Sequence, residues 1–126
     1  MNKNTIHVLV IEPGIKPYEK DIGSDLRSLQ AAVGGDIQAV YPYDEPVAIL
    51  CDEEGKFNGK RLNRALRDDA GNIYDVIAGT FLVVGLGEDD FASLSPELAK
   101  QFKKVFAMPE LFCSMNGGVV CIPIES

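Results

Sequence analysis

The feature of the chain that most constrains its fold is an almost unbroken apolar run from Val76 to Val84, which ends at Gly85. Runs of this kind, rich in Val and Ile, are typical of strands that are covered on both faces, because neither face then meets water. We therefore predict a central strand here, with the rest of the molecule packed around it. Gly79 lies inside the run and indicates a bulge or the close approach of another backbone.

The chain before this run alternates between strand and helix signals. Three short apolar segments rich in β-branched residues predict strands at residues 5–12, 37–41 and 47–51. Residues 25–33 predict an amphipathic helix, with Ser24 as its N-cap and Gly34 just past its end. The second and third strands are close enough in sequence to pair antiparallel.

Two further segments lie on either side of the apolar run. Residues 62–67 fit either a helical turn or a short strand, and the turn at 69–72 then leads into the run. Beyond the run, Ser95 is placed as an N-cap and Pro96 occupies the first helical position, which predicts a second helix. Pro109 prevents that helix from continuing.

The end of the chain predicts a C-terminal hairpin. Residues 111–115 and 119–124 flank an Asn-Gly-Gly segment, and Pro123 confines the last strand to an edge. A three-residue loop would place Cys113 directly opposite Cys121, so a cross-strand disulfide is one option. Free thiols are the default in a reducing compartment, and we expect them here.

The order of these elements predicts an α+β fold. We expect one domain that spans residues 1–126, with a mostly antiparallel sheet, two helices packed on one face and the C-terminal hairpin. A chain of 126 residues is long enough to bury one core of its own. Only the first helix lies between strands that could be parallel, which argues against a doubly wound fold.

Composition excludes several classes of function. Twelve basic and nineteen acidic residues give a net charge of −7, whereas direct binding to nucleic acid requires a basic surface. No apolar segment approaches the roughly 20 residues that cross a bilayer, and the N-terminus has no apolar signal segment. We therefore expect a cytoplasmic protein that contacts neither nucleic acid nor membrane.

No motif in the chain indicates catalysis, a metal or a cofactor. His7 is the single histidine, and no Cys or Asp stands near it at ligand spacing. The Gly-Leu-Gly segment at 85–87 lacks the third glycine of a dinucleotide fingerprint, since Asp90 takes that place. An enzyme that uses His7, Glu12 or the acids at 88–90 cannot be assembled from these residues, so we expect a non-enzymatic protein without a cofactor.

Five residues are candidates for binding. Asn63, Arg64 and Arg67 concentrate amide and guanidinium donors, which can grip a carboxylate or phosphate. The alternative is that both arginines pair with Asp68, Asp69 or Asp75 across a hairpin and hold it together. Tyr41 and Tyr43 flank a proline and offer rigid aromatic area of the kind that protein interfaces use, although one of the two is expected to face the core.

Several segments resemble a family of small proteins that contain a domain of unknown function. They are Val-Ile-Glu-Pro-Gly at 10–14, Leu-Arg-Ser-Leu-Gln-Ala-Ala-Val-Gly-Gly-Asp-Ile-Gln-Ala-Val at 26–40, Asn-Arg-Ala-Leu at 63–66 and Ile-Tyr-Asp-Val-Ile-Ala-Gly-Thr-Phe at 73–81. The resemblance spans residues 8–85. Such proteins are carried by phages, plasmids and other mobile elements, chiefly of Gram-positive bacteria. The resemblance implies an accessory protein of such an element and transfers no catalytic residue.

Two hypotheses about function follow. The first is a non-enzymatic binding protein that counteracts a host defence system by binding a protein partner through Asn63, Arg64, Arg67, Tyr41 and Tyr43. The alternative is a domain that sequesters or senses an anionic, nucleotide-like ligand, with Arg64 as the phosphate clamp. The final strand is also an edge that could pair between copies and give a homo-oligomer.

Overall fold

The structure is a computed structural model that describes residues 5–88, 90–115 and 118–124. These residues form ten strands and two helices in one continuous order. The elements are β1 Thr5–Ile11, β2 Tyr18–Gly23, α1 Leu26–Val33, β3 Ile37–Val40, β4 Val47–Asp52, β5 Leu62–Arg67, β6 Ile73–Ala78, β7 Phe81–Leu86, β8 Phe91–Ala92, α2 Pro96–Val105, β9 Glu110–Met115 and β10 Gly118–Pro123. The α+β class, the mostly antiparallel sheet and the C-terminal hairpin are as predicted.

The main sheet is built around β7, the second half of the long apolar run. Its strand order is β2-β1-β7-β4-β3, and the short strand β8 also pairs with β7. Every pairing in this sheet is antiparallel, including the predicted pairing of β3 with β4. Residues Phe81 to Val84 are fully buried because both faces of β7 are covered, which explains the lack of alternation in that segment.

The two helices lie on opposite faces of the main sheet. Alternate residues of β1 enter two different cores, with Val8 and Val10 on the side of α1 and Leu9 and Ile11 on the side of α2. The prediction that both helices pack on one face is therefore wrong. Both faces of β1, β4 and β7 are apolar, so the sheet needs a cover on each side.

The β5–β6 hairpin forms a separate two-stranded sheet. Its Leu66 and Ile77 pack into the core on the α2 side, so the hairpin covers the part of that face which the helix does not reach. We predicted one strand across residues 76–84, but the run divides into β6 and β7. The break falls at Gly79, whose φ of 80° lies in the left-handed region that glycine adopts without strain.

The helix boundaries agree closely with the sequence signals. Ser95 caps α2 by accepting a hydrogen bond from the Leu98 amide, and Pro96 occupies its first turn. The N-cap of α1 is Asp25 instead of Ser24, and its carboxylate accepts from the Ser28 amide. Neither helix in the described part of the chain is long and apolar enough to cross a membrane.

Two other features differ from the sequence predictions. Strand β2 was not predicted, because half of its residues are charged and exposed and it forms one edge of the sheet. In the β9–β10 hairpin, Cys121 pairs with Phe112 and Cys113 pairs with Val120. The two cysteines therefore do not lie opposite each other, contrary to the pairing that a three-residue loop would give. Both are free thiols, as expected.

Candidate functional site

Asn63 and Arg64, at the start of β5, are completely buried. The Asn63 amide donates to the carbonyl oxygens of Ile11 at 2.9 Å and Gly79 at 2.8 Å. Its Oδ1 accepts from the Arg64 guanidinium at 2.8 Å. The same guanidinium donates to the carbonyl oxygens of Phe106, at 3.2 and 3.1 Å, and of Ile15, at 2.8 Å. These contacts join β5 to β1, to the loop after it and to the C-terminal end of α2.

The prediction that Asn63 and Arg64 form an exposed contact surface is therefore wrong. Neither side chain is reachable by a partner, and the donors that would grip one are already used within the molecule. Burial lowers the pKa of Arg64, although the Glu110 carboxylate opposes that effect. The alternative structural role is the one that the geometry supports, but the bonding partners are backbone carbonyls and the Asn63 side chain, and not the aspartates that we considered.

Arg67, at the end of β5, is exposed and bound to the C-terminal hairpin. Its guanidinium lies 3.0 Å from a carboxylate oxygen of Glu110, and it also contacts the Cys121 sulfur at 3.4 Å. The other Glu110 oxygen accepts from the Ala65 amide and from the Cys121 thiol, both at 2.9 Å. Arg67 thus fastens β9 and β10 to β5. None of its predicted aspartate partners lies within ion-pair distance.

The two tyrosines have different environments, as expected. Tyr41 is 60 % exposed just after β3, whereas Tyr43 packs on Phe102 of α2 with 4.7 Å between the ring centroids. Burial raises the pKa of Tyr43 far above its usual value. Tyr43 and Arg67 line one cavity of about 480 Å³, and Tyr41 lies at another. The five predicted binding residues therefore do not form one site.

A different cavity, of about 470 Å³, lies between the main sheet and the β5–β6 hairpin. Its floor is formed by Gln38 and Val40 of β3 and Cys51 of β4. The β6 residues from Asp75 to Ala78 form one wall, and the turn after β4 forms the rim. The cavity exists because the hairpin bends away from β7 at Gly79 and overhangs the sheet without pairing with it.

The turn that forms the rim is anchored by two buried or half-buried charges. Asp52 has a side chain that is only 2 % exposed, and its carboxylate lies 2.6 Å from the Lys60 ammonium. This hydrogen bond is the main reason why the pKa of Asp52 lies below its usual value. Lys60 also donates to the carbonyl oxygens of Val33 and Gly34, so the same cation caps the end of α1.

The rim carries one ion pair and one exposed aromatic ring. Lys56, on the turn, lies 2.7 Å from Asp75 of β6 and connects the two sides of the cavity. Phe57 stands beside it and is 90 % exposed. Water in contact with an exposed phenyl ring is unfavourable, and this cost is removed only when another surface covers the ring. Aromatic anchors in protein interfaces are covered in this way.

Sequence reasoning missed this site for identifiable reasons. Val40 and Cys51 belong to ordinary apolar strands, and nothing in their pattern separates a cavity floor from a filled core. One signal was present, because Phe57 is the only large apolar residue in the polar segment 52–60.

The single histidine of the chain lies in a cluster of carboxylates. His7 lies between Asp21, at 2.5 Å, and Glu19, at 2.6 Å, on the surface formed by β1 and β2. Both hydrogen bonds raise the pKa of His7, and the bond to Glu19 has the larger effect. Across the described residues, no three His, Cys, Asp or Glu side chains converge in a way that could hold a metal ion.

Comparison with known proteins identifies the family. Residues 6–107 match the model of a family described as Domain of unknown function (DUF3846). The chain belongs to the DUF3846 family. Searches of curated proteins and of solved structures returned no match to it.

The family segment contains the whole cavity. All of the lining residues, from Gln38 to Ala78, fall inside the matched range, as does the Asn63–Arg64 network. The β9–β10 hairpin lies outside that range. The matched range thus includes both the Asn63–Arg64 network and the cavity, and the hairpin beyond it contacts β5 through Glu110.

Proposed function

We propose that this DUF3846 protein is a non-enzymatic binding protein of a phage or other mobile element, and that it engages a protein partner at the cavity beneath the β5–β6 hairpin. The mobile-element setting, and with it a role against a host defence system, follow from the resemblance of the sequence segments given above. The contact site differs from the one that the sequence suggested, since Asn63 and Arg64 are withdrawn from it.

The observation that carries the proposal is the combination of a 470 Å³ cavity, which has apolar side chains in its interior, with an exposed phenyl ring at its mouth. Val40, Val76 and Ile77 supply apolar surface inside, and Phe57 supplies it outside. Protein interfaces concentrate their binding energy in such places, where an aromatic anchor and a pocket are next to each other.

The charges around the cavity favour a protein partner over an anionic small molecule. Asp52, Glu53 and Asp75 line the cavity, and Lys56 is the single cation among its lining residues. That lysine is already paired with Asp75. The nucleotide alternative depended on Arg64 as a phosphate clamp, and that side chain is completely buried with its guanidinium bonded to two backbone carbonyls.

The chemistry of the cavity floor supports binding without catalysis. Cys51 is the one thiol in the lining, and burial is the main reason why its pKa is raised. A raised pKa keeps the sulfur protonated, and its hydrogen bond goes to the Gln38 carbonyl at 3.7 Å and not to a base. The thiol therefore acts as a small apolar group of the floor.

Site-specific photo-crosslinking in a bacterial host tests the proposal. A benzophenone amino acid introduced at position 57 should capture one defined protein, because this ring is exposed beside the cavity. The matched control places the same amino acid at Leu26, which is 62 % exposed on α1, on the opposite face of the sheet. Capture should occur from position 57 and not from position 26.

A substitution inside the cavity tests whether capture from position 57 depends on the cavity itself. Val40→Glu puts a charge on the cavity floor and should abolish capture from position 57, while circular dichroism verifies that the variant is folded. Capture that is equal from both positions, or that is unchanged by Val40→Glu, would overturn the proposed site.

A further inference from the structure

We propose that the partner contributes an extended segment that pairs with β3 as an additional strand of the main sheet, with alternate side chains directed into the cavity. This inference rests on the proposed function and specifies how the partner is held. Strand addition to an exposed sheet edge takes its affinity from main-chain hydrogen bonds and its specificity from pockets for alternate side chains.

The hydrogen-bond pattern of β3 defines its free edge. Glu53 donates its amide hydrogen to the Asp36 carbonyl, and in an antiparallel ladder the bonded positions recur at every second residue. Gln38 and Val40 therefore exchange hydrogen bonds with β4. The N–H and C=O groups of Ile37 and Ala39 point away from β4, where the described chain provides no further strand.

The two edges of the main sheet are not equivalent. The β2 edge carries Glu19, Lys20 and Asp21, and such charges protect an edge strand against unwanted pairing. Strand β3 has the sequence Ile-Gln-Ala-Val and carries no charge. Of the two edges, β3 is the one without charged side chains, and it is also the one that borders the cavity.

The geometry of a sheet connects the free edge to the cavity. Gln38 and Val40 point to the cavity side, because they line its floor, whereas Ile37 and Ala39 face the core that contains α1. In paired strands, directly opposite residues lie on the same face. Every second residue of an added strand would therefore enter the space between Val40 and the hairpin.

Charge indicates what kind of segment fits. Asp36 is exposed directly before β3, Asp44 is exposed in the turn that follows it, and Glu53 is exposed beside Asp36. Among the described residues, no lysine or arginine forms an ion pair with these three carboxylates. We infer a segment with apolar residues at alternate positions and Lys or Arg at its ends. A second copy of this chain would bring a net charge of −7 and the same acids to the edge, which opposes self-pairing.

A displayed library of random twelve-residue peptides provides the probe. Selection on the full-length protein should enrich peptides that alternate apolar residues and carry basic ends. Amide hydrogen exchange, followed by NMR with one such peptide, should then slow at Ile37 and Ala39 when the peptide binds. Gln38 and Val40 serve as internal controls, because their amides are already bonded to β4.

The Ala39→Pro variant tests the backbone contact directly. Proline removes the outward N–H and is tolerated on the open side of an edge strand, so the affinity for the peptide should fall at least about tenfold. Ala39→Ser retains the N–H and should bind like the wild type. The exchange pattern in the wild type decides the question if the proline variant does not fold.

The possible outcomes separate the inference from the proposed function. Peptides that lose binding in Val40→Glu but leave the Ile37 and Ala39 amides unprotected would overturn strand pairing and leave the cavity as the site. Equal peptide binding by the wild type, Val40→Glu and Ala39→Pro, or a selection that enriches no peptide, would overturn recognition of an extended segment. The crosslinking at position 57 would still test the cavity. Slower exchange at the same two amides in the protein alone, at higher concentration, would identify self-pairing in place of a partner.

Discussion

The two strands of the β5–β6 hairpin are used in opposite ways. Strand β5 is buried over most of its length and is bound through Asn63 and Arg64 to β1, to the following loop and to α2. The first three residues of β6 are exposed, and its C-terminal half lines a cavity. Polar residues thus fix one strand in place, and this allows its neighbour to overhang the sheet and leave a space below.

The comparison shows why polar residues in a small domain can be misinterpreted. A buried guanidinium that donates to several carbonyls provides a rigid connection between elements that have no strand pairing in common. No buried nitrogen or oxygen of a described side chain is left without a partner, so the network is complete. The exposed contact surface is provided by a turn and by the cavity beside it.

The largest effect is expected from Arg64→Ala. The change leaves the Phe106 and Ile15 carbonyls without their donor inside the protein, so the free energy of unfolding should fall by about 3–5 kcal/mol. Urea denaturation measures the change, and Arg27→Ala, on the exposed side of α1, should alter stability by less than about 0.5 kcal/mol. Equal stability of the two variants would contradict the contrast between β5 and the surface.

A smaller effect is expected from Gly79→Ala, at the point where the hairpin leaves the central strand. The residue has a φ of 80°, and an added Cβ would lie 2.8 Å from the Lys60 side chain. We expect a loss of about 1–2 kcal/mol in the free energy of unfolding. Gly71 has a φ of 86° with open space around it, so Gly71→Ala separates backbone strain from the contact with Lys60.

Phe57→Ala should hardly affect stability. The ring is 90 % exposed and contributes little to the core, so the unfolding free energy should change by no more than about 0.5 kcal/mol. Binding of the captured partner should weaken by a factor of at least about ten if the ring is an anchor. Calorimetric titration of the partner into the variant and into the wild type measures the difference in affinity. A loss of stability without a loss of affinity would mean that the ring supports the fold and does not bind the partner.

The smallest effect concerns the surface cluster at His7. Its pKa is raised in the folded protein, so its stabilisation is complete below the unfolded value of about 6.5 and is lost as the pH rises through the folded value. His7→Gln should therefore lower the melting temperature at pH 5.5 and have no effect at pH 9. A difference that persists at pH 9 would mean that packing, and not protonation, gives His7 its role.

Much of the fold could be predicted because it depends on local signals. Ser95 and Pro96 identify the start of α2. The short connection between β3 and β4 favours antiparallel pairing of these two strands. The apolar run at 76–84 correctly indicates the centre of the sheet. Its division at Gly79 was not predicted, since the apolar pattern of a strand is the same whether the strand pairs in a sheet or packs above one.

The candidate site could not be predicted in the same way. The sequence shows that Arg64 and Arg67 carry positive charge, but their exposure depends on residues more than 40 positions away, at Phe106 and Glu110. The cavity likewise lies between β3 and β6, which are distant in sequence, and its rim is a turn held by the ion pair of Lys60 with Asp52. Contacts between distant segments leave no periodic signal in either of them.

The sequence by itself determined the α+β class, the capped helix α2, the buried strand β7 and the acidic surface, because each depends on neighbours along the chain or on composition alone. Tertiary structure decided which faces the helices cover, that Arg64 is buried, and that a cavity opens beside the unpaired edge of β3. The physical reason is that burial and exposure are properties of packed surfaces. The same guanidinium that would attract a ligand in water holds three segments together once those segments enclose it.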